Sequence, residues 1–219
     1  MLVLGYLEPD SIMQLEIVPL LAWLLPQFLF ISILGNHISK ELEKSAVYIF
    51  TRSSKRYNWL IKRYSELFIY IILCYIIFFV AIILFGCVMH LNFNFNDFYV
   101  LLLVFIIQVV STFCVVLIIN SINLYLKITF SYIVFFSVYL FQTLFIGMNL
   151  SNKSIMMTLP FPRTIIGWQN NDIIRDIQME NNFFYIKELN LSSSILYFFI
   201  LSLIIIFTNI ILFKRRDII

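Results

Sequence analysis

The chain has 219 residues, 62 % of them hydrophobic and only 12 % charged, with a mean hydropathy of +0.96. Soluble domains carry ~45–50 % apolar residues, and a chain of this size has no interior large enough for the excess. That excludes a soluble globular protein and leaves an all-α, polytopic membrane helix bundle. The net charge of +3 does not point to nucleic acid, because the positive excess sits between apolar runs, where membrane topology places it.

Residues 1–16 hold Glu8, Asp10 and Glu16 and no cation, so they lack the basic start of a signal peptide and suit an external N-terminus. The first span is predicted at 17–35, with Pro19 in its first turn and Pro26 mid-span, where it removes one backbone bond. A polar segment, 36–66, follows with seven cations: Lys40, Lys44, Arg52, Lys55, Arg56, Lys62 and Arg63. Within it, Glu41–Phe50 reads as an amphipathic helix with Leu42, Ala46, Ile49 and Phe50 on one face. Thr51–Ser54 breaks that pattern, and Lys55–Arg63 resumes as a basic amphipathic helix feeding into the next span. Tyr57, Trp59 and Tyr64 suit the headgroup level.

Further spans are predicted at 67–89, 98–119, 129–148 and 194–213, about five in all within one transmembrane domain covering 1–219. The connector His90–Asp97 carries no Lys or Arg, and the turn Asn120–Ile128 carries Lys127. The long polar region 149–193 has four cations matched by four acids, and the chain closes on Lys214, Arg215 and Arg216. With the N-terminus outside and the C-terminus cytoplasmic, eleven of the fifteen cations face the cytoplasm, as the positive-inside rule asks of a cell-membrane protein.

No predicted span contains Asp, Glu, Lys, Arg or His, so proton-coupled transport lacks its usual groups. Gln108, Ser111 and Thr112 share one helix face by their i, i+3 and i+4 spacing. That face either bonds neighbouring helices or lines a substrate path or a dimer seam. Catalytic residues are not predicted, because no acid, base or nucleophile is placed within a span. The glycines are scattered and form no phosphate-binding loop, so ATP hydrolysis by this chain alone is excluded. His37 and His90 fall at opposite faces, and Cys74, Cys87 and Cys114 lie inside apolar runs, which leaves no metal site. In the external region, Met156–Arg163 with its Pro160-Phe161-Pro162 reads either as an interfacial or re-entrant helix at the outer mouth or as a plain turn. Asp172–Glu180 reads as a short surface helix.

The basic segment has two readings: interfacial helices that touch anionic lipid, or a docking element for a cytoplasmic motor. Its residues Glu41-x-Glu43-Lys44, Tyr48-Ile49-Phe50-Thr51-Arg52-Ser53 and Arg56-x-x-Trp59-Leu60-x-Lys62 resemble the segment between the second and third spans of type 2 ABC exporter permeases. The resemblance is nearest to small Gram-positive members tied to bacteriocin immunity or to peptide and drug export. It implies a coupling helix at which Tyr48, Thr51, Arg52, Lys55 and Arg56 contact a separate ABC ATPase subunit, which binds the ATP and magnesium. It further implies a second copy or a related permease as partner, and a peptide, drug or lipid-like substrate. The family pattern has six spans and a cytoplasmic N-terminus, so the equivalent of its first span is missing here. A rival reading is a non-transporting immunity or sensor protein that binds a peptide through 149–193.

Overall fold

The computed structural model describes residues 17–52, 56–90, 93–148, 153–171 and 186–215. It is an all-α bundle. The helices are α1 (Ile17–Leu34), α2 (His37–Arg52), α3 (Arg56–Val88), α4 (Phe95–Asn123), α5 (Ile128–Met148), α6 (Lys153–Thr158) and α7 (Leu191–Arg215). Two single 3-10 turns, Pro162–Thr164 and Ile166–Trp168, lie between α6 and α7.

The bundle is organised around α4, which packs against α1, α3, α5 and α7. Its central place follows from its residues. Ile107, Val116, Leu117 and Ile119 are fully buried, as are the polar Thr112 and Asn120. At its start, the Asp97 carboxylate accepts the Asn94 backbone N–H at 2.8 Å, which satisfies a donor left over by the first turn. At the end of α3, His90 adopts φ 56°, a left-handed conformation that stops a helix.

Two hydrophobic clusters run through the molecule. One gathers Ile31, Ile38, Leu60, Leu67, Ile71 and Ile119 where α1, α2, α3 and α4 converge. The other gathers Leu103, Ile107, Phe161, Ile165, Trp168 and Phe198 toward the opposite end. The outward faces are just as apolar. Ile77 on α3, Phe141 on α5 and Phe207 on α7 are 65–70 % exposed. Such continuous apolar faces would aggregate in water and are stable against lipid tails. Three helical stretches, Tyr57–Val88, Phe95–Asn123 and Leu191–Leu212, are long and apolar enough to cross a membrane, with a shorter apolar stretch at Ile128–Gln142. The chain is a membrane protein.

Several element boundaries differ from those predicted. Helix α2 starts four residues before Glu41 and runs through Thr51 and Arg52, where the break was expected to begin; the rest of the expected break, Ser53 and Ser54, lies outside the described residues. Helix α4 extends past Ile119 to Asn123, which places Asn120 inside the helix and moves the turn to 124–127. Asn120 is tolerated there because its side chain is fully hydrogen-bonded. The predicted surface helix Asp172–Glu180 lies outside the described residues.

Candidate functional site

The basic segment folds as an elbow. The chain turns at Gly35 and Asn36, between α1 and α2, and the turn is fastened to the end of α4. Asn120 Nδ2 donates to the Leu34 carbonyl and to the Val116 carbonyl, each at 2.9 Å, while its Oδ1 accepts the Ile38 N–H at 3.0 Å. The Leu34 carbonyl is the last of α1 and the Ile38 N–H is among the first of α2, groups that no intrahelical bond can satisfy, whereas the Val116 carbonyl lies one turn back on α4 itself. Asn123 Nδ2 donates to the Gly35 carbonyl, and the Tyr132 hydroxyl on α5 donates to the Ile31 carbonyl at 3.2 Å. Gly35 is required by close approach. A Cβ there would stand 2.8 Å from the Tyr132 hydroxyl and 3.1 Å from Ile119 Cγ2.

Helix α2 then lies along the start of α3. Ile38 is buried and Leu42 packs on the same cluster, while Lys40, Glu43 and Lys44 stay exposed. The two helices are joined by a chain of charges. Arg63 pairs with Glu41 at 3.1 Å and with Glu66 one turn on, and Lys44 reaches Glu41 at 3.6 Å. The Arg63 guanidinium lies 5.6 Å from the Trp59 ring centre. Arg63, Glu41 and Glu66 are about three-quarters buried, so Arg63 is the fixed centre of this chain while Lys44 stays mobile in water.

His37, at the first turn of α2, stands edge-on to Tyr70 with ring centres 5.6 Å apart. Burial pulls its pKa below 6.5, opposed by the carboxylates of Glu41 and Glu66 and helped by Arg63 and Lys44. A histidine held neutral in this way supports the fold above its ordinary pKa, and the support is lost as the pH falls through the lowered value. The melting temperature in detergent is therefore expected to drop between pH 7.5 and 5.5 by more in the wild type than in His37→Gln. Equal drops in the two proteins would remove His37 from the account.

Of the residues predicted to touch an ATPase, Tyr48, Thr51 and Arg52 lie in the last part of α2 and Arg56 is the first residue of α3. Their side chains, and Lys55 altogether, lie outside the described residues. The backbone places Thr51, Arg52 and Arg56 at the corner where α2 ends and α3 begins, with Tyr48 about one turn before it.

The structure brings Gln108, Ser111 and Thr112 together with residues of three other helices. Gln27 Nε2 on α1 donates to Gln108 Oε1 at 2.9 Å and to Ser111 Oγ at 3.3 Å. The Tyr139 hydroxyl on α5 donates to Gln27 Oε1 at 2.8 Å. The Tyr75 hydroxyl on α3 lies 2.7 Å from Thr112 Oγ1 and 3.4 Å from Gln108 Oε1. All these α4 residues and Gln27 are at most 4 % exposed, so within one chain this face is occupied in joining helices. Ser111 also borders a cavity of about 170 Å³, closed over by Pro160, Phe161 and Thr164.

At that end, the Pro160–Gln169 stretch folds into the core. Phe161, Ile165, Ile166 and Trp168 are at most 2 % exposed. Arg163 stays outside the core: its Nε and Nη2 donate to the Met157 carbonyl at 3.0 and 2.6 Å, and its guanidinium lies 4.6 Å from the Tyr197 ring centre. Gln169 Nε2 donates back to the Arg163 carbonyl at 2.7 Å.

A family model described as "Protein of unknown function (DUF2705)" matches residues 5–219. The chain belongs to that family. No curated protein and no solved structure matches it. In this DUF2705 chain the elbow is fastened to the end of α4 and the glutamine network to its middle. Asn120 and Asn123 were not among the predicted site residues. A signal for Asn120 was present: Gln108, Thr112 and Asn120 recur at multiples of four along α4, and Gln108 and Asn120 both bond α1. Gln27 had no such signal, being the lone amide of its apolar run, whereas Tyr75 shares its run with Tyr70 and Tyr139 shares its run with Tyr132, Gln142 and Thr143.

Proposed function

We propose that this chain is the membrane-spanning permease subunit of an ATP-driven ABC exporter. It sits multi-pass in the cell membrane with five spans, its N-terminus outside and its C-terminus and elbow in the cytoplasm. A separate ATPase binds ATP and magnesium, and a second permease copy or a related permease completes the transporter. The substrate is amphipathic: a peptide, a drug or a lipid-like molecule.

The observation that carries this reading is the elbow. The densest basic segment of the chain is a pair of helices tied to each other through Glu41 and Arg63 and to α4 through Asn120, not a loose loop. A force applied at the α2–α3 corner reaches α3 and α4 without slack, as a coupling device requires. The positive-inside distribution supports the orientation, and the absence of ionisable groups in the predicted spans supports an external energy source.

The test is a pull-down of the tagged chain in mild detergent from its own cells. A stoichiometric ATPase is expected with the wild type and its loss with Arg52→Glu/Arg56→Glu, together with at least a tenfold fall in substrate efflux at unchanged membrane insertion. Continued efflux and retained ATPase in the double variant would refute the docking role. Recovery of the wild-type chain without any ATPase would overturn the exporter reading and turn attention to peptide binding by 149–193.

A further inference from the structure

A groove of about 450 Å³ runs down the outer surface between α3 and α7, floored by Val110 and Phe113 of α4. It has the size of a small-molecule site, ~300–1,000 Å³. Its walls include Phe68 and Ile69 on one side and Phe199 and Leu203 on the other. Three features set it apart from an ordinary gap between helices. It begins at Ile61, at the elbow end of α3, where the helix changes from charged to apolar. Lys62 stands on the stripe of α3 that continues through Ser65 and Ile69, three and seven residues on, both of which line the groove. Lys62 is exposed and makes no ion pair among the described residues, unlike its neighbour Arg63. Inside, Ser202 is 5 % exposed and its hydroxyl is turned from the groove toward the Cys114 thiol. On α7, the helix continues past the groove-lining Ile206 to Lys214 and Arg215.

We infer that this groove binds one anionic phospholipid, with an acyl chain between α3 and α7 and its phosphate at Lys62. The apolar walls take the chain and the long Lys62 stem reaches from the same stripe to the headgroup layer. Charge at the mouth selects the headgroup, because a lysine at the membrane surface favours an anionic lipid about five-fold over a zwitterionic one. The groove itself does not distinguish between lipids with the same chains.

The experiment is native mass spectrometry of the detergent-purified full chain, titrated with phosphatidylglycerol and with phosphatidylcholine of identical acyl chains. The wild type is expected to retain one phosphatidylglycerol per chain with about a five-fold preference. Lys62→Gln, a change at an exposed position, should bring the two lipids to parity. Leu203→Trp, which fills the groove, should weaken both at least tenfold. Equal retention of the two lipids by the wild type, or an unchanged preference in Lys62→Gln, overturns the proposal. So does efficient disulfide cross-linking between two copies of Ser65→Cys in membranes, which would give the groove to a second chain.

Discussion

Replacing Asn120 with leucine is expected to lower the unfolding free energy in detergent by about 3 kcal/mol. Leucine has the same branched heavy-atom shape and is somewhat larger, so no cavity contributes, and most of the loss is that of the polar groups left behind. The Leu34 carbonyl and the Ile38 N–H would both lose their partner, and Ile38 is fully buried. Each such orphan costs ~1–3 kcal/mol. Polar contacts between membrane helices average only ~0.6 kcal/mol, because side chains find other partners. Backbone groups fixed in the turn around Gly35 have no such freedom, so the larger figure governs. Amide exchange at Ile38 should quicken in the same variant. A loss below about 1 kcal/mol would mean that water replaces Asn120 at the elbow and that α2 is held chiefly by its apolar face and the Arg63 pairs.

Phe161→Ala is expected to cost about 4 kcal/mol, near the middle of the ~3–5 kcal/mol found for deleting a buried aromatic ring. Phe161 is 1 % exposed and stands edge-on to Tyr139 at 6.0 Å. It also borders the cavity of about 170 Å³. Collapse cannot recover the loss, since Pro160 and Pro162 fix the backbone on either side of it. The enlarged cavity should become reachable from outside, and Cys114 on its wall reports this. In a chain with Cys74 and Cys87 replaced by alanine, Cys114 should react with a small methanethiosulfonate at least tenfold faster in Phe161→Ala than with Phe161 in place. An unchanged rate, with a loss under about 1 kcal/mol, would show that Phe161 does not seal the cavity.

The helical class and the apolar stretches were legible because hydropathy and run length are local properties. Local pattern also marked Gln108, Ser111 and Thr112 as one face. It could not supply their partners: Gln27 is 81 residues from Gln108, and Tyr139 is 112 residues from Gln27. The same distance in sequence hid the elbow. Asn120, polar and at the edge of an apolar run, reads as the start of a turn, and its bond to the Leu34 carbonyl spans 86 residues. The Pro-Phe-Pro stretch left two readings because proline reports a break in helix and nothing about burial. What the bundle does with it is to bury Phe161 while the Arg163 guanidinium holds the Met157 carbonyl outside. Gly35 was legible only as one of five scattered glycines, since two of the three groups that crowd it, beside the Ile31 carbonyl, belong to Tyr132 and Ile119 far along the chain.

Helix α3 is unbroken for 33 residues. At 1.5 Å per residue it is a rod of ~50 Å, about 20 Å longer than the hydrocarbon it crosses. With no proline along it, bending offers little compliance, so the rod answers a sideways load by tilting as a whole. A tilt of about 10° around its middle carries the Arg56 end ~4 Å one way and the Val88 end as far the other. If the rod turns instead about the Tyr75 contact with Thr112, a little beyond half-way along it, the Val88 arm is the shorter one. A small displacement at the Arg56 end would then arrive at the Val88 end reversed in direction and about two-thirds as large.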